Sequence, residues 1–260
     1  MVSLKVAVLA LCYLALSSAK SINLEKAEDG YLFEGDMVMS KQDIEQSLAG
    51  GPSKESENLF GLSKSQYKRW PNGVVPYTLD SSISNTLWRK SSVRKAMKQW
   101  EEKTCVRFVE RTDQKDYVEF FADFGKCYSY VGRTGGKQRI SLGFGCFGVG
   151  TAIHEIGHML GMWHEQSRPD RDDYVEIVWD NITEDQKHNF RKYSTYTIDS
   201  RGSPYDYDSI MHYEWNAFSK FPGLRTTIRS KNGAKFGQRS HISVQDAIQI
   251  NRYYECDKKQ

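Results

Sequence analysis

Three histidines, His154, His158 and His164, within the run Thr151 to Glu165 constrain this chain more than any other feature. His154 and His158 are four residues apart, so a helix through them stacks both imidazoles on one face, where they can share one ion. Glu155 sits about 100° around that helix from His154. It is poorly placed as a further ligand but close enough to address a water on the metal. Gly161 can take the left-handed conformation that ends a helix and reverses the chain. Three residues later, His164 can swing back as the third ligand.

Three neutral nitrogens leave zinc an open position, which marks a catalytic site rather than a structural one. Zinc lowers the pKa of a water there toward roughly 7, and Glu155 can take its proton as it attacks a carbonyl carbon. The same carboxyl can later protonate a departing amine. Lone histidines are commonly structural, and the string H-E-x-x-H recurs by chance. Five specified positions arising by chance in one chain of this size is on the order of 10⁻⁴ or rarer at background residue frequencies. Two rivals fall short. A structural zinc domain lacks the fourth Cys or His it needs, and a catalytically silent zinc module could dispense with Glu155, which is present.

Residues 1–19 have the pattern of a signal peptide: Lys5, an apolar run from Val6 to Leu16, then the small residues Ser17-Ser18-Ala19. The apolar run is about half of the roughly 20 residues a spanning helix needs. A secreted, extracellular protein with no membrane span is expected. Removal of the signal takes Cys12 with it and leaves Cys105, Cys127, Cys146 and Cys256. In an oxidising compartment an even set of four suggests two disulfides, with three pairings open, and the absence of C-x-x-C spacing argues against zinc.

Residues 1 to 60 carry nine Asp plus Glu against five Lys plus Arg, whereas the remainder has seven more basic than acidic residues. Docking of an acidic leader on a basic body explains that split. The basic residues are scattered among acids without a nucleic-acid motif, so nucleic acid is not an expected partner. From Ser21 to about Phe60 the chain is polar, with an apolar island at Tyr31-Leu32-Phe33 and a break at Gly50 to Ser53, so it folds only against something else.

Gly73 to Tyr77 suggests a short strand ended by Pro76. A helix is predicted from about Asn85 to Lys103 with Val93, Met97 and Trp100 on its apolar face. Strands are predicted at Cys105 to Glu110, Tyr117 to Ala122 and around Arg139 to Leu142. A C-terminal helix opens with Ser243 and Asp246 at capping-box spacing and carries Val244 and Ile248 on one face. Strands first and helices later give an α+β domain.

The run His154 to Glu165, with an acid directly after the third histidine, resembles the astacin family of metzincin endopeptidases. Ser209-Ile210-Met211-His212-Tyr213 resembles that family's Met-turn. The resemblance implies a two-lobed zincin domain: a mixed twisted sheet with long helices in the N-terminal lobe, and a mostly irregular C-terminal lobe ending in a helix. It implies Met211 as an apolar floor under one Zn²⁺ per chain, and Tyr213 as a switchable extra ligand that stabilises the tetrahedral intermediate. Polypeptide substrates would lie antiparallel to an edge strand around Arg139 to Leu142, approached through Cys127 to Gly132.

Phe33-Glu34-Gly35-Asp36 resembles the family's F-x-G-D prosegment motif, which implies Asp36 on zinc in a zymogen. The implied organisation is a signal at 1–19, an inhibitory prosegment at 20–60 and a single catalytic domain at 61–260. An activating protease would cut near Phe60-Gly61, freeing an amine that approaches Glu165. The implied disulfides are Cys105–Cys256 and Cys127–Cys146. A monomer is expected, and Asn181-Ile182-Thr183 is a glycosylation sequon.

Overall fold

The structure is a computed structural model describing residues 24–27, 30–41, 44, 68–193 and 199–259. The expected signal and the Phe60–Gly61 bond lie outside the described residues. Three leader strands come first: β1 (Lys26–Ala27), β2 (Gly30–Phe33) and β3 (Met37–Met39). The domain then supplies β4 (Val74–Leu79), β5 (Arg107–Glu110), β6 (Tyr117–Phe121), β7 (Cys127–Tyr130) and β8 (Lys137–Leu142). Their order in one sheet is β1-β2-β3-β7-β8-β6-β4-β5. Among the domain's own strands all neighbours are parallel except β7, which runs antiparallel to β8.

Alternation builds this sheet. Val118 and Phe120 of β6 are fully buried, while Glu119 between them faces Lys137 and Arg139 of β8 at 2.7 and 3.0 Å. Against the buried face packs α1 (Leu87–Lys103), whose inner residues Val93, Ala96, Met97 and Trp100 recur at helical spacing. Trp70 and Trp100 are wholly buried, each with its indole N–H bonded to a backbone carbonyl, of Met159 and Ile153 respectively. At roughly 25 cal/mol per Å² over about 200 Å², each ring contributes about 5 kcal/mol before entropy is counted. α2 (Val149–Leu160), which carries His154 and His158, is apolar nearly all round and lies inside this core.

The main core draws only on residues from Trp70 to Cys256, and both disulfides, Cys105–Cys256 and Cys127–Cys146, lie within the same span. The domain therefore has a core that needs nothing from the leader. A second core, around Val175, Ile177, Phe190, Tyr205, Tyr213 and Ile228, marks the other lobe. That lobe is mostly irregular apart from a two-stranded ribbon of β9 (Val175–Ile177) and β10 (Ile228–Ser230). The chain ends with α3 (Val244–Tyr253), which returns to the first core through Ile250 and Tyr253. The architecture is the expected α+β, two-lobed one, and no described helix is long and apolar enough to cross a membrane.

Three sequence expectations are corrected. The strand around Arg139 to Leu142 is not an edge: β8 lies between β6 and β7, because Cys127 and Tyr128 pair with Leu142 and Ser141 and use its remaining side. On this side the domain's outer strand is β7, as β5 is on the other. Pro76 does not end its strand, which runs on to Leu79; pairing with β6 begins only at Tyr77, beyond the residue that lacks an N–H. On α3 the buried face is Asp246, Ile250 and Tyr253, while Val244 is 71% exposed. A carboxylate takes the inner position because it has backbone to bind: Asp246 accepts from Ser209 Oγ and from the amides of Ile210 and Ser243.

The leader lies on the free side of β7. β3 runs parallel to it, with Met37 opposite Ser129 and Val38 opposite Tyr130. Phe33, Met37 and Ile44 are buried against Trp163 and Tyr193, while Leu32 and Val38 pack on Phe121 and Tyr128 from the other face.

Candidate metal centre

α2 ends where Gly161 adopts φ 114°, with its amide bonded back to Gly157 and His158 carbonyls. The reversal brings His164 round to the face that carries His154 and His158. Each imidazole turns Nδ1 to an oxygen: His154 to Ile210 O at 2.8 Å, His158 to Met162 O at 2.8 Å, His164 to Glu34 Oε2 at 2.7 Å. Those acceptors place the proton on Nδ1, so all three Nε2 atoms present lone pairs.

The Nε2 lone pairs meet one another and Asp36. His154 Nε2 lies 3.2 Å from His158 Nε2 and 3.1 Å from Asp36 Oδ2, and His164 Nε2 lies 3.2 Å from Asp36 Oδ1. One ligand atom from each of the four residues falls within 4.8 Å of the others. Asp36 Oδ1 is buried with no hydrogen-bond partner. Buried acceptors aimed at one point require a cation between them, and three imidazoles plus a carboxylate form a tetrahedral donor set suited to zinc. The cluster fits a single Zn²⁺.

The electrostatics agree. Burial, reinforced by Arg239, lowers His154 to about 3, and burial also lowers His158. At His164 burial works in the same sense but is outweighed by Asp36 and Glu34, which raise it to about 9. Burial pushes Asp36 up, yet the charge of His164 and the three imidazole contacts hold it well below the ordinary carboxylate range. The pocket thus demands positive charge at its centre.

Glu155 is buried on the next face of α2, and its Oε2 has no hydrogen-bond partner. Burial, then Asp36, raises its pKa well above normal, with Arg239 pulling the other way. Glu155, His154, Asp36, Tyr213 and Arg239 line one cleft of about 440 Å³. Met211 is fully buried, its sulfur lying against Gly157 of α2 between the two helical ligands. The ring of Tyr213 lies 4.6 Å from that of His164, but its hydroxyl donates to the leader carbonyl of Glu34 at 2.6 Å.

Glu165 is buried away from the metal cluster. Burial, opposed by Arg168 and assisted by Asp246 and Asp206, raises it to about 8. Its Oε1 accepts from Arg168 Nη1 at 3.1 Å and from the Asp206 amide at 2.8 Å. Gly61, the expected partner of Glu165, lies outside the described residues. Asn181 stands apart from the cleft residues, with its side-chain amide donating to Thr226 O at 2.8 Å.

Four residues of the centre have no role in the sequence reading. Glu34 stands inside a motif without an assignment of its own, although its place two residues before Asp36 is a signal. Asp246 reads only as a helix cap; it also fixes Ile210, whose carbonyl orients His154. Arg239 and Tyr193 reach the centre from distant loops, and no local pattern announces them.

The family model described as Astacin, a peptidase family, matches residues 62–255. Zinc metalloproteinase nas-4 of Caenorhabditis elegans is 44% identical over 216 residues, covering 80% of this chain and 67% of its own length. Bone morphogenetic protein 1 of Xenopus laevis is 43% identical over 192 residues, 72% of this chain but 27% of the relative. The chain likewise spans 49% and 39% of two further relatives, Zinc metalloproteinases nas-14 and nas-15 of Caenorhabditis elegans. Among solved structures, High choriolytic enzyme 1, a hatching enzyme zinc-protease from the medaka Oryzias latipes, superposes with a TM-score of 0.67 at 35% identity, over 80% of this chain and 99% of that one.

Proposed function

Because this chain belongs to the astacin family of zinc metalloendopeptidases, we propose that it is a secreted endopeptidase, made as a latent precursor, that hydrolyses peptide bonds in polypeptides. The observation that carries the reading is the meeting of three imidazole Nε2 atoms with Asp36 beside the unpartnered carboxylate of Glu155. Residues 1–19 are the signal, 20–60 the leader, and the catalytic domain begins at about Gly61, a boundary supported by the family match from residue 62.

His154, His158 and His164 hold the metal, and Asp36 completes the set in the latent state. Zinc, when bound, supplies Lewis acidity toward the scissile carbonyl and acidifies the attacking water. Glu155 accepts that water's proton and passes it to the leaving amine; its burial suits the task, since a carboxylate of raised pKa is the stronger base. Tyr213, released from the Glu34 carbonyl when the leader departs, donates its hydroxyl to the developing oxyanion.

Leader removal also frees the edge of β7. A substrate adds there as an antiparallel strand, main-chain hydrogen bonds giving affinity and side-chain pockets selectivity. Since β3 runs parallel to β7, the leader crosses the centre in the reverse sense to a substrate, blocking the cleft without offering a bond in the productive direction. An activating protease makes the cut, and the new amine joins Glu165, beside which Asp206 and Asp246 add negative charge that the single cation Arg168 opposes. The processed enzyme acts as a monomer. Glycosylation at Asn181 would replace one of the two Nδ2 hydrogens and leave the other to donate to Thr226 O.

The test compares processed wild type with Glu155→Ala on a denatured protein substrate at matched zinc content. Cleavage by the variant is expected to fall about 10²- to 10⁴-fold, the usual worth of a general base. Equal cleavage by the two proteins refutes the mechanism.

A further inference from the structure

Glu34 is a buried charge that the reaction above does not use. Its side chain is wholly covered, with Oε2 2.7 Å from His164 Nδ1. Its Oε1 accepts from Ser167 Oγ at 2.9 Å and from the Tyr193 hydroxyl at 2.6 Å. All three donors belong to the catalytic domain and are buried themselves, at 0, 0 and 4% exposure for His164, Ser167 and Tyr193. Glu34 and Gly35 both have positive φ, 51° and 90°, which turns the chain so that two leader carboxylates address one histidine, Glu34 at Nδ1 and Asp36 at Nε2. A non-glycine residue stays in that conformation only where its surroundings over-determine it. Gly35 has no such option, since a Cβ there would meet Phe218 at 2.9 Å.

We infer that His164 Nδ1, Ser167 Oγ and Tyr193 OH form a carboxylate-binding subsite beside the metal centre, filled from within the chain by Glu34 and open to an acidic side chain of a bound polypeptide once the leader is displaced. Three buried donors that lose their common acceptor must find another. A carboxylate offers two oxygens with about four acceptor sites, enough for all three. A carboxamide of the same shape offers one oxygen and turns an NH₂ group toward a donor, and a lysine or arginine offers no acceptor at all. The subsite therefore selects Glu over Gln and excludes bases. That substrates supply the acidic side chain rests on the endopeptidase reading; the chemistry of the pocket does not.

The experiment uses the zinc-loaded full-length chain in the Glu155→Ala background, processed to remove the leader; the domain that remains keeps its own core and both disulfides. Binding of a fluorescent peptide spanning residues 31–39 is read by anisotropy, with Asp36→Asn in the peptide to suppress ligation of the metal. Changing only the peptide, Glu34→Gln is expected to weaken binding about tenfold to hundredfold, as for loss of hydrogen bonds to a charged group. On a domain carrying Ser167→Ala and Tyr193→Phe, that ratio is expected to shrink to about threefold or less. Equal affinity of the two peptides for the unmodified pocket, an undiminished ratio on the double variant, or no binding of either peptide overturns the proposal. Because turnover is never read, failure of the peptidase mechanism and failure of this subsite are separate results.

Discussion

On one side of the metal centre His154 and His158 ride on α2, a helix buried almost all round among α1 and the main sheet. On the other, Glu34 and Asp36 ride on a turn between β2 and β3, strands of four and three residues. The helix side is fixed by contacts wholly within the domain. The leader side borrows its order: strands of two, four and three residues are marginal alone, and they gain β7 as a further neighbour and apolar sockets only by docking. The contrast is what the proposed latent precursor requires, permanent ligands that outlast a temporary one. It also makes the two sides separable by experiment.

The largest separation is expected from Phe33→Ala in the full-length chain. Phe33 is fully buried against Trp163 and Tyr193, and its truncation should remove about 3–5 kcal/mol from leader docking. Amide exchange at Met37 and Val38 should accelerate by orders of magnitude while α2 stays protected; equal acceleration in α2 would make the two sides one cooperative unit and erase the contrast.

Gly157→Ala attacks the other side. The added methyl would sit 2.7 Å from Met211 Sδ and 3.4 Å from Trp100 Cζ2, an overpacking expected to cost about 1–3 kcal/mol of global stability by denaturant titration. An unchanged midpoint would mean that the floor under the metal yields freely. Ser243→Ala removes the cap of α3, the bond from the Asp246 amide to Ser243 Oγ at 2.9 Å, and should cost about 1 kcal/mol. The loss should appear in the melting of the domain and leave leader exchange untouched. Smallest is Lys126→Met, which breaks a rim ion pair with leader residue Glu25 at 3.2 Å. An effect of about 0.2–1 kcal/mol on leader exchange is expected, reduced at high salt; an effect insensitive to salt would assign it to the other bond lost, from Lys126 Nζ to Lys26 O at 2.7 Å.

Legibility follows the same division. The four-residue spacing of His154 and His158, the stop at Gly161 and the inner face of α1 are open to reading because helical periodicity is a local property. The capping box at Ser243 and Asp246 is legible for the same reason, yet the buried side of α3 is not. Whether Val244 or Asp246 turns inward depends on what lies opposite, and the Met-turn amides lie opposite. The edge of the sheet is misplaced at Arg139 to Leu142 because strand order is a matter of long-range pairing, which no residue of β8 encodes by itself. Glu34 escapes assignment because its three partners stand more than a hundred residues away.

The sequence by itself determined the α+β class, the helix that stacks two imidazoles, the glycine that releases the third, and the donor chemistry suited to zinc. Tertiary structure decided that β7 is the domain's outer strand on the side of the metal centre, that the leader covers it in parallel, and which oxygen stands behind each imidazole. It also decided that two leader carboxylates grip His164 from opposite ring nitrogens. The physical reason is range: side-chain spacing along one helix is set by backbone geometry within a turn, whereas sheet order and the pairing of buried charges are settled only when distant segments compete for the same space and the same protons.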